Sequence, residues 1–331
     1  MLISRYYKFR YLSLGLLALV MINTTLYSPA AGSQGVAAPF QEHGITANNF
    51  MFYHGNLEVA AEFYTDVLGF KKVLDYGTAV MFQIADTSYI TLVRGNKKKH
   101  NLGGPRPVTV SLVTDELEQW HSHLSHRGVE IIHKEMKGAN LRQYSFVALD
   151  PAGYYLQFTR INVHPQNKKF LQGLNFLTPV VANPSGKRVD APPLTVKATI
   201  TSFYYRGLKT TRKFYEKALG FEIAVEQDET RTYHTSPSGY FRLVDDVHGL
   251  HKSSEDISQR KGVMLSLYTD NVDAWFDAIV DHKDITMRTP NMVDIENLRE
   301  FSFNDPGDYA IEFNYFKATD ANRLLLELLN R

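Results

Sequence analysis

The chain has 331 residues, 36 Lys and Arg against 35 Asp and Glu, and 44% hydrophobic residues. That composition excludes a disordered or collagen-like chain, and the near-neutral balance argues against the electrostatic footprint of a nucleic-acid binder. The length fits about two domains at roughly 100–200 residues each, and the lack of cysteine removes thiolate metal sites, cysteine nucleophiles and disulfides.

Residues 1–31 read as a signal peptide. Arg5, Lys8 and Arg10 make a basic start, and the apolar run Tyr11–Ile22 has 12 residues. That run is too short for an ordinary membrane-spanning helix and fits the core of a secretory signal. Small residues at Ser28, Ala30, Ala31, Ala37 and Ala38 offer cleavage points. Loss of residues 1–31 takes the net charge from +1 to −2. The expected product is periplasmic or secreted, nearly neutral and disulfide-free; the alternative is a protein anchored in the membrane by an uncleaved signal.

The first module spans 45–161. It opens with a strand at 47–54, followed by a helix in which Leu57, Ala60, Ala61, Tyr64 and Leu68 follow the i, i+3, i+4, i+7 spacing, with Gly69 as its stop. Strands at 79–84 and 88–94 follow. A strand at 107–113 enters a second helix carrying Trp120, and a strand at 144–148 turns at Asp150-Pro151 into 154–160. Residues 162–194, with four prolines and a Ser-Gly between Thr178 and Pro193, read as a linker. The second module, 195–316, repeats the first. FYTDVLGF at 63–70 returns as FYEKALGF at 214–221, VTVSLVTDELEQW at 108–120 as VMLSLYTDNVDAW at 263–275, and NLRQYSF at 140–146 as NLREFSF at 297–303. Asp305-Pro306 then leads into Ile311–Phe313 as Asp150-Pro151 leads into Leu156–Phe158. Each module reads coarsely as a strand, a helix and three strands. The tail, 317–331, carries Leu324, Leu325, Leu328 and Leu329 on one stripe and reads as a helix docked on an apolar surface.

Strand side chains alternate faces. Phe50 and Phe52, Val108, Val110 and Leu112, Leu156 and Phe158, Phe203, Val263, Leu265 and Leu267, and Ile311 and Phe313 form an apolar side for the helices. The other side gathers Asn49, Tyr53, Thr109, Gln157, Ser202, Tyr204, Ser266, Tyr268, Glu312 and Asn314. A solvent-facing sheet carries Lys, Arg and Glu freely. On the polar side of these six strands only Glu312 is charged, which suits a small-molecule cleft.

These repeated motifs resemble the vicinal oxygen chelate superfamily, the group of glyoxalase I, bleomycin-binding proteins, fosfomycin-modifying enzymes and extradiol dioxygenases. The resemblance covers 45–161 and 195–316 and implies an α+β fold, two tandem βαβββ modules whose curved sheets enclose one shared cavity. In metal-using members the resemblance places ligands at Asn49 and Ile200 on the first strands, near Thr109 and Met264 in the middle, and at Gln157 and Glu312 on the last strands. Only Glu312 is a normal ligand for a catalytic metal. The expectation is therefore a protein with no resident cofactor; a divalent metal held by Glu312 with Gln157 and Asn49 is the alternative.

His54 falls one position off the polar side. His121, His123 and His126, the HGLH run at 248–251 and the KKKH turn at 97–100 read as surface features, and Arg142 and Arg299 as structural pairing residues. No Gly-rich phosphate loop and no GxSxG elbow occurs. Two classes of function follow. The first is an exported binding protein for a small organic ligand, a monomer or homodimer with no nucleic-acid partner. The second is an enzyme, a glyoxalase-type lyase or extradiol-type dioxygenase with an irregular metal site, or a metal-free enzyme with Glu312 as general base. An inert partner-binding scaffold is a third, blander option.

Overall fold

The computed structural model describes residues 44–100, 102–103, 106–138, 141–186, 193–227, 229–251 and 262–330. The signal-peptide reading and the Lys252–Lys261 segment lie outside the described residues. Both modules fall within one compact unit.

Each module is itself two βαβββ motifs, one level of repetition beyond the sequence reading. The first motif holds β1 (Ala47–His54), α1 (Leu57–Glu62), β2 (Lys71–Asp75), β3 (Ala79–Ala85) and β4 (Ser88–Arg94). The second holds β5 (Val108–Val113), α2 (Leu117–His126), β6 (Ile131–Glu135), β7 (Gln143–Leu149) and β8 (Tyr155–Ile161). Between the modules lie α3 (Lys168–Leu174), β9 (Val180–Ala182) and β10 (Leu194–Val196). The third motif has β11 (Ala198–Tyr205), α4 (Lys209–Lys213), β12 (Ile223–Glu226), β13 (Thr230–Ser236) and β14 (Gly239–Asp245). The fourth has β15 (Val263–Tyr268), α5 (Val272–Ile279), β16 (Thr286–Met287), β17 (Val293–Asp294), β18 (Leu298–Asn304) and β19 (Ala310–Phe316), and α6 (Arg323–Leu329) follows.

The motifs pair across modules. Sheet A runs β16-β18-β19-β15-β1-β4-β3-β2, with β17 on β18, and sheet B runs β12-β13-β14-β11-β5-β8-β7-β6. The seams are antiparallel, β1 on β15 and β11 on β5. Each sheet thus takes one motif from each module, and neither closes. The expected single shared cavity becomes two polar faces, one on each sheet.

The apolar sides pack as the alternation requires. Phe50, Phe52, Val110, Leu156, Phe203, Leu265 and Phe313 share one core with Trp120 and Trp275. Full burial of each such side chain contributes about 1.5–3 kcal/mol.

The repeated motifs mark the points where the backbone is constrained. After α1 the helix widens into a π turn over Phe63–Val67, closed by Leu68 N–H donating to the Phe63 carbonyl at 2.9 Å. Gly69 then adopts φ +75, and a Cβ there would lie 2.1 Å from the backbone nitrogen of Pro184. We expect Gly69→Ala to cost about 2–4 kcal/mol in urea unfolding, from left-handed strain plus a backbone clash; a cost under 1 kcal/mol would sink this account. In the Asp-Pro turns, Asp150 Oδ1 accepts the amides of Ala152 and Tyr154, and Asp305 Oδ1 those of Gly307 and Tyr309. The next-to-last turn residue needs a positive φ. Gly153 supplies +82 freely, whereas Asp308 is held at +63.

His54 faces the helices, as its parity implies. Its Nε2 lies 3.4 Å from Asp150 Oδ2. Burial pushes the imidazole down to about 3, so it is neutral, and pushes the Asp150 carboxyl up to about 7.

The described part of the stretch read as a linker, 162–186 and 193–194, is structured. Residues β9 and β10 form an antiparallel pair, Asn183 N–H donates to the Gly69 carbonyl at 2.8 Å, and Trp120 Nε1–H donates to the Thr195 carbonyl at 3.1 Å. The helices α3 and α6 are themselves repeats. Asn167 and Asn322, just before them, each donate to two backbone carbonyls. Phe170 and Leu174 of α3 pack with Ile200 and Tyr240 on sheet B. Leu325 and Leu328 of α6 pack with Met81, Tyr89 and Tyr268 on sheet A, so the tail docks as expected. Among the described residues no helix is long and apolar enough to cross a membrane.

Candidate functional site

Strand register decides which polar side chains meet. On sheet A, Asn49 of β1 stands opposite Ser266 of β15, which stands opposite Glu312 of β19. On sheet B, Ile200 of β11 is opposite Ser111 of β5, which is opposite Gln157 of β8. The ten residues read from the sequence therefore divide. Sheet A holds Asn49, Tyr53, Ser266, Tyr268, Glu312 and Asn314, and sheet B holds Thr109, Gln157, Ser202 and Tyr204. Gln157 does not share a face with Glu312 and Asn49, so the grouping of those three as ligands fails: first and last strands of one module lie in different sheets. All ten are buried except Gln157, which is partly buried. These faces are not ordinary solvated sheet.

Sheet A carries an acidic centre. Asn314 Nδ2 donates to Glu312 Oε1 and to Ser266 Oγ, both at 2.6 Å, and Thr91 Oγ1 donates to Asn49 Oδ1 at 2.9 Å. Glu300, opposite Asn314 on β18, is the diagonal neighbour of Glu312. Burial, then the charge of Glu300, raises the Glu312 pKa well above its ordinary value, against hydrogen bonds from Asn314 and Ser266. Burial likewise raises Glu300. Two carboxyls this placed favour sharing a proton. Neither Arg299 nor Arg242 pairs with Glu312. Arg299 grips Asp273 at 3.0 Å and Asp294 at 2.8 Å, and Arg242 belongs to sheet B. His100, in a short helical turn at Lys97–His100, stacks on Tyr53 with ring centroids 4.0 Å apart, so this run is more than a solvated turn.

Sheet B carries a cationic one, and its polar face opens into a cavity of about 440 Å³. Arg242, in the middle of β14, lines it. Its Nε–H donates to Thr232 Oγ1 at 2.9 Å, and among the described residues no carboxylate lies within ion-pair distance. Burial pulls its pKa down to about 10, and nearby Arg142 adds to that. Gln157 is clamped, accepting from Ser111 Oγ at 2.8 Å and donating to Ser145 Oγ at 3.0 Å. Tyr204 and Thr109 share a hydroxyl hydrogen bond at 2.8 Å, and burial pushes the Tyr204 pKa up to about 12. His248, Gly249 and Leu250 form one wall, and His251 packs against Tyr155 and Tyr204 with centroids 4.1 and 5.0 Å away. The HGLH run is thus part of the cavity's enclosure and not simple surface. Arg142, read as structural, lines the mouth, 3.9 Å from Glu229. His121 and His123 sit instead on α2, against the Phe146 ring and the Val67 carbonyl.

The repeat makes the contrast sharp. Gln143 and Gln157 on sheet B occupy the places of Glu300 and Glu312 on sheet A, and Arg242 occupies the place of Thr91. At these matched positions one copy carries two carboxyls and the other an arginine. As a metal donor set neither row fits a catalytic site: Ile200, Ser111 and Gln157 offer no anion, and Asn49, Ser266 and Glu312 offer one. Among the described residues no group of three His, Asp or Glu is gathered. Sequence reasoning missed Arg242 and Glu300. Arg242 was visible as a lone charge inside the apolar strand YFRLV, but its strand was not read for parity.

Comparison with known proteins follows this architecture. The family model of the Glyoxalase/Bleomycin resistance protein/Dioxygenase superfamily matches residues 46–158 and 199–313. Two variants of glyoxalase I from Zea mays superpose at TM-scores of 0.54 and 0.55, with 16% and 15% identity; each covers 85% of this chain, and 94% and 95% of the maize chains. A proposed dioxygenase from Bacillus subtilis superposes at 0.54 with 15% identity, over 82% of this chain and 84% of its own. At such identities the likeness speaks for the fold. Comparison with curated proteins gives no match. Two family matches, one on each module, together with the cross-paired sheets, place this chain in the Glyoxalase/Bleomycin resistance protein/Dioxygenase superfamily.

Proposed function

We propose that this protein is an exported binding protein that takes a small organic ligand in the sheet B cavity and works without a resident metal. The single observation that carries the reading is a cavity of about 440 Å³ whose floor is a polar network, with Arg242 left without an anionic partner among the described residues. The volume falls in the range of small-molecule sites, and the mix of fixed polar groups with apolar wall is what such sites use. Its floor comes from both modules, so the duplication itself builds the site. Export rests on the basic start and short apolar run of the first 31 residues.

Ligand screening by thermal shift tests the reading. A bound ligand at a hundred times its Kd stabilises by about 2.7 kcal/mol through linkage, and Leu250→Arg, which fills the cavity wall, should remove the shift without lowering the unliganded midpoint. Chelator should leave the midpoint unchanged. A fall of several degrees reversed by one specific metal would overturn the metal-free reading. Intact mass of the exported protein should place the mature start between residues 29 and 39; recovery of full-length chain in the membrane fraction would reject cleavage.

A second reading rests on sheet A. The Glu300–Glu312 pair, raised by burial, has the character of a general base poised for proton abstraction next to a carbonyl. Wild-type protein would then exchange solvent deuterium into an α-hydroxyketone, and Glu312→Gln would not. Absence of exchange with added divalent metals also present would retire a glyoxalase-type lyase reading.

A further inference from the structure

We infer that the sheet B cavity selects organic anions, with Arg242 gripping the anionic head and the apolar wall holding the body. This rests on the reading of that cavity as a ligand site. Three observations carry it.

First, Arg242 is oriented and unneutralised. Thr232 holds its Nε, which fixes the guanidinium plane and leaves the two terminal nitrogens to serve a second partner. A guanidinium presents paired N–H groups that match a carboxylate or phosphate, and charge-assisted hydrogen bonds are roughly twice as strong as neutral ones. Among the described residues no carboxylate is within ion-pair distance of it, and leaving such a cation unpaired is costly unless an anion arrives.

Second, the groups around it suit the same ligand. Gln157, Ser145 and Thr232 are neutral, and of the carboxylates that line the cavity Glu135 is on the edge strand β6. Glu229 faces Arg142 across the mouth at 3.9 Å. The apolar part comes from Phe170, Ile161, Val225 and Leu250. An amphipathic anion has a place for each of its ends.

Third, the duplicated face is an internal control. Sheet A replaces the two glutamines with Glu300 and Glu312 and the arginine with Thr91. The basic character of sheet B is therefore a departure from its own copy, confined to positions on the polar face.

The test uses four probes of one shape: 3-phenylpropionate, 2-phenylethyl phosphate, 3-phenylpropionamide and 3-phenylpropylamine. Binding to the purified full chain is followed by ligand-observed NMR, and its place by chemical shifts of the Val225 and Leu250 methyls. The expected result is binding of one or both anions at least about tenfold tighter than the amide and amine. Which anion binds better separates a carboxylate ligand from a phosphate ester. Arg242→Gln should erase the charge preference, and Arg242→Lys should keep part of it. Equal binding of all four probes at the cavity methyls would overturn the anion inference and leave the cavity reading standing. Methyl shifts with none of the probes would remove both. Should Arg242→Gln fail to fold, the wild-type preference and the Lys variant still decide the matter.

Discussion

Asp305→Ala should cost about 3–5 kcal/mol of stability, the largest single effect expected of a side chain outside the apolar core. Asp305 is fully buried and accepts four hydrogen bonds. Tyr205 and Tyr215 hydroxyls donate to Oδ2 at 2.6 and 2.9 Å, and the amides of Gly307 and Tyr309 donate to Oδ1 at 2.8 and 3.0 Å. Alanine leaves two buried tyrosine hydroxyls and two turn amides unpaired, each worth about 1–3 kcal/mol, and less in sum because they share one network. Asp305→Asn keeps an oxygen for the turn amides and should cost only about 1–2 kcal/mol. Urea unfolding of the two variants decides it. Equal losses in both would mean that the charge, and not the acceptor geometry, holds the turn.

Glu312→Gln should leave stability near wild type at pH 4 and raise it at pH 8 by about 1–3 kcal/mol. Burial and the neighbouring Glu300 lift the folded-state pKa of Glu312 above its ordinary value. A carboxyl lifted in this way contributes stability that is fully present below the unfolded value and is lost as pH rises through the folded one. The loss is at most about 1.4 kcal/mol per pH unit for each group. Glutamine keeps the acceptor for Asn314 and never ionises, so the variant should show a flatter stability curve. Urea midpoints at pH 4, 6 and 8 measure this. A variant weaker than wild type at pH 8 would show that the ionised Glu312 is paired and structural, and the sheet A proton-sharing reading would go with it.

The sequence was most informative where backbone geometry or alternation forces the residue. Gly69, Asp150 and Asp305 sit at turns that demand a positive φ nearby or a local acceptor, so their motifs recur in both modules and reveal the duplication. Period-2 alternation placed Phe50, Phe52, Val110, Leu156, Phe203, Leu265 and Phe313 on the core side, because a one-residue slip would bury every polar group there, but it did not show that Tyr268 on the other side packs against α6. The leucine stripe of the tail likewise announced a docked helix, α6. The linker between the modules was less legible. Its prolines mark turns, and they say nothing of the contacts with Gly69 and Trp120 that tie the β9–β10 hairpin down.

What the sequence alone determined is the repeat, the fold it resembles, and which side of each strand is polar. Which polar side chains share a site was decided by tertiary structure. Local alternation carries no information about partner strands, and the pairings of β1 with β15 and of β11 with β5 join residues more than 80 positions apart. Those two seams send Glu312 to Asn49 and Gln157 to Ile200, splitting one expected cavity into an acidic face and a basic one. Arg242 became meaningful only then. A charge inside an apolar strand reads as an anomaly until the sheet shows that it lines a cavity, with no carboxylate of the described residues within ion-pair distance.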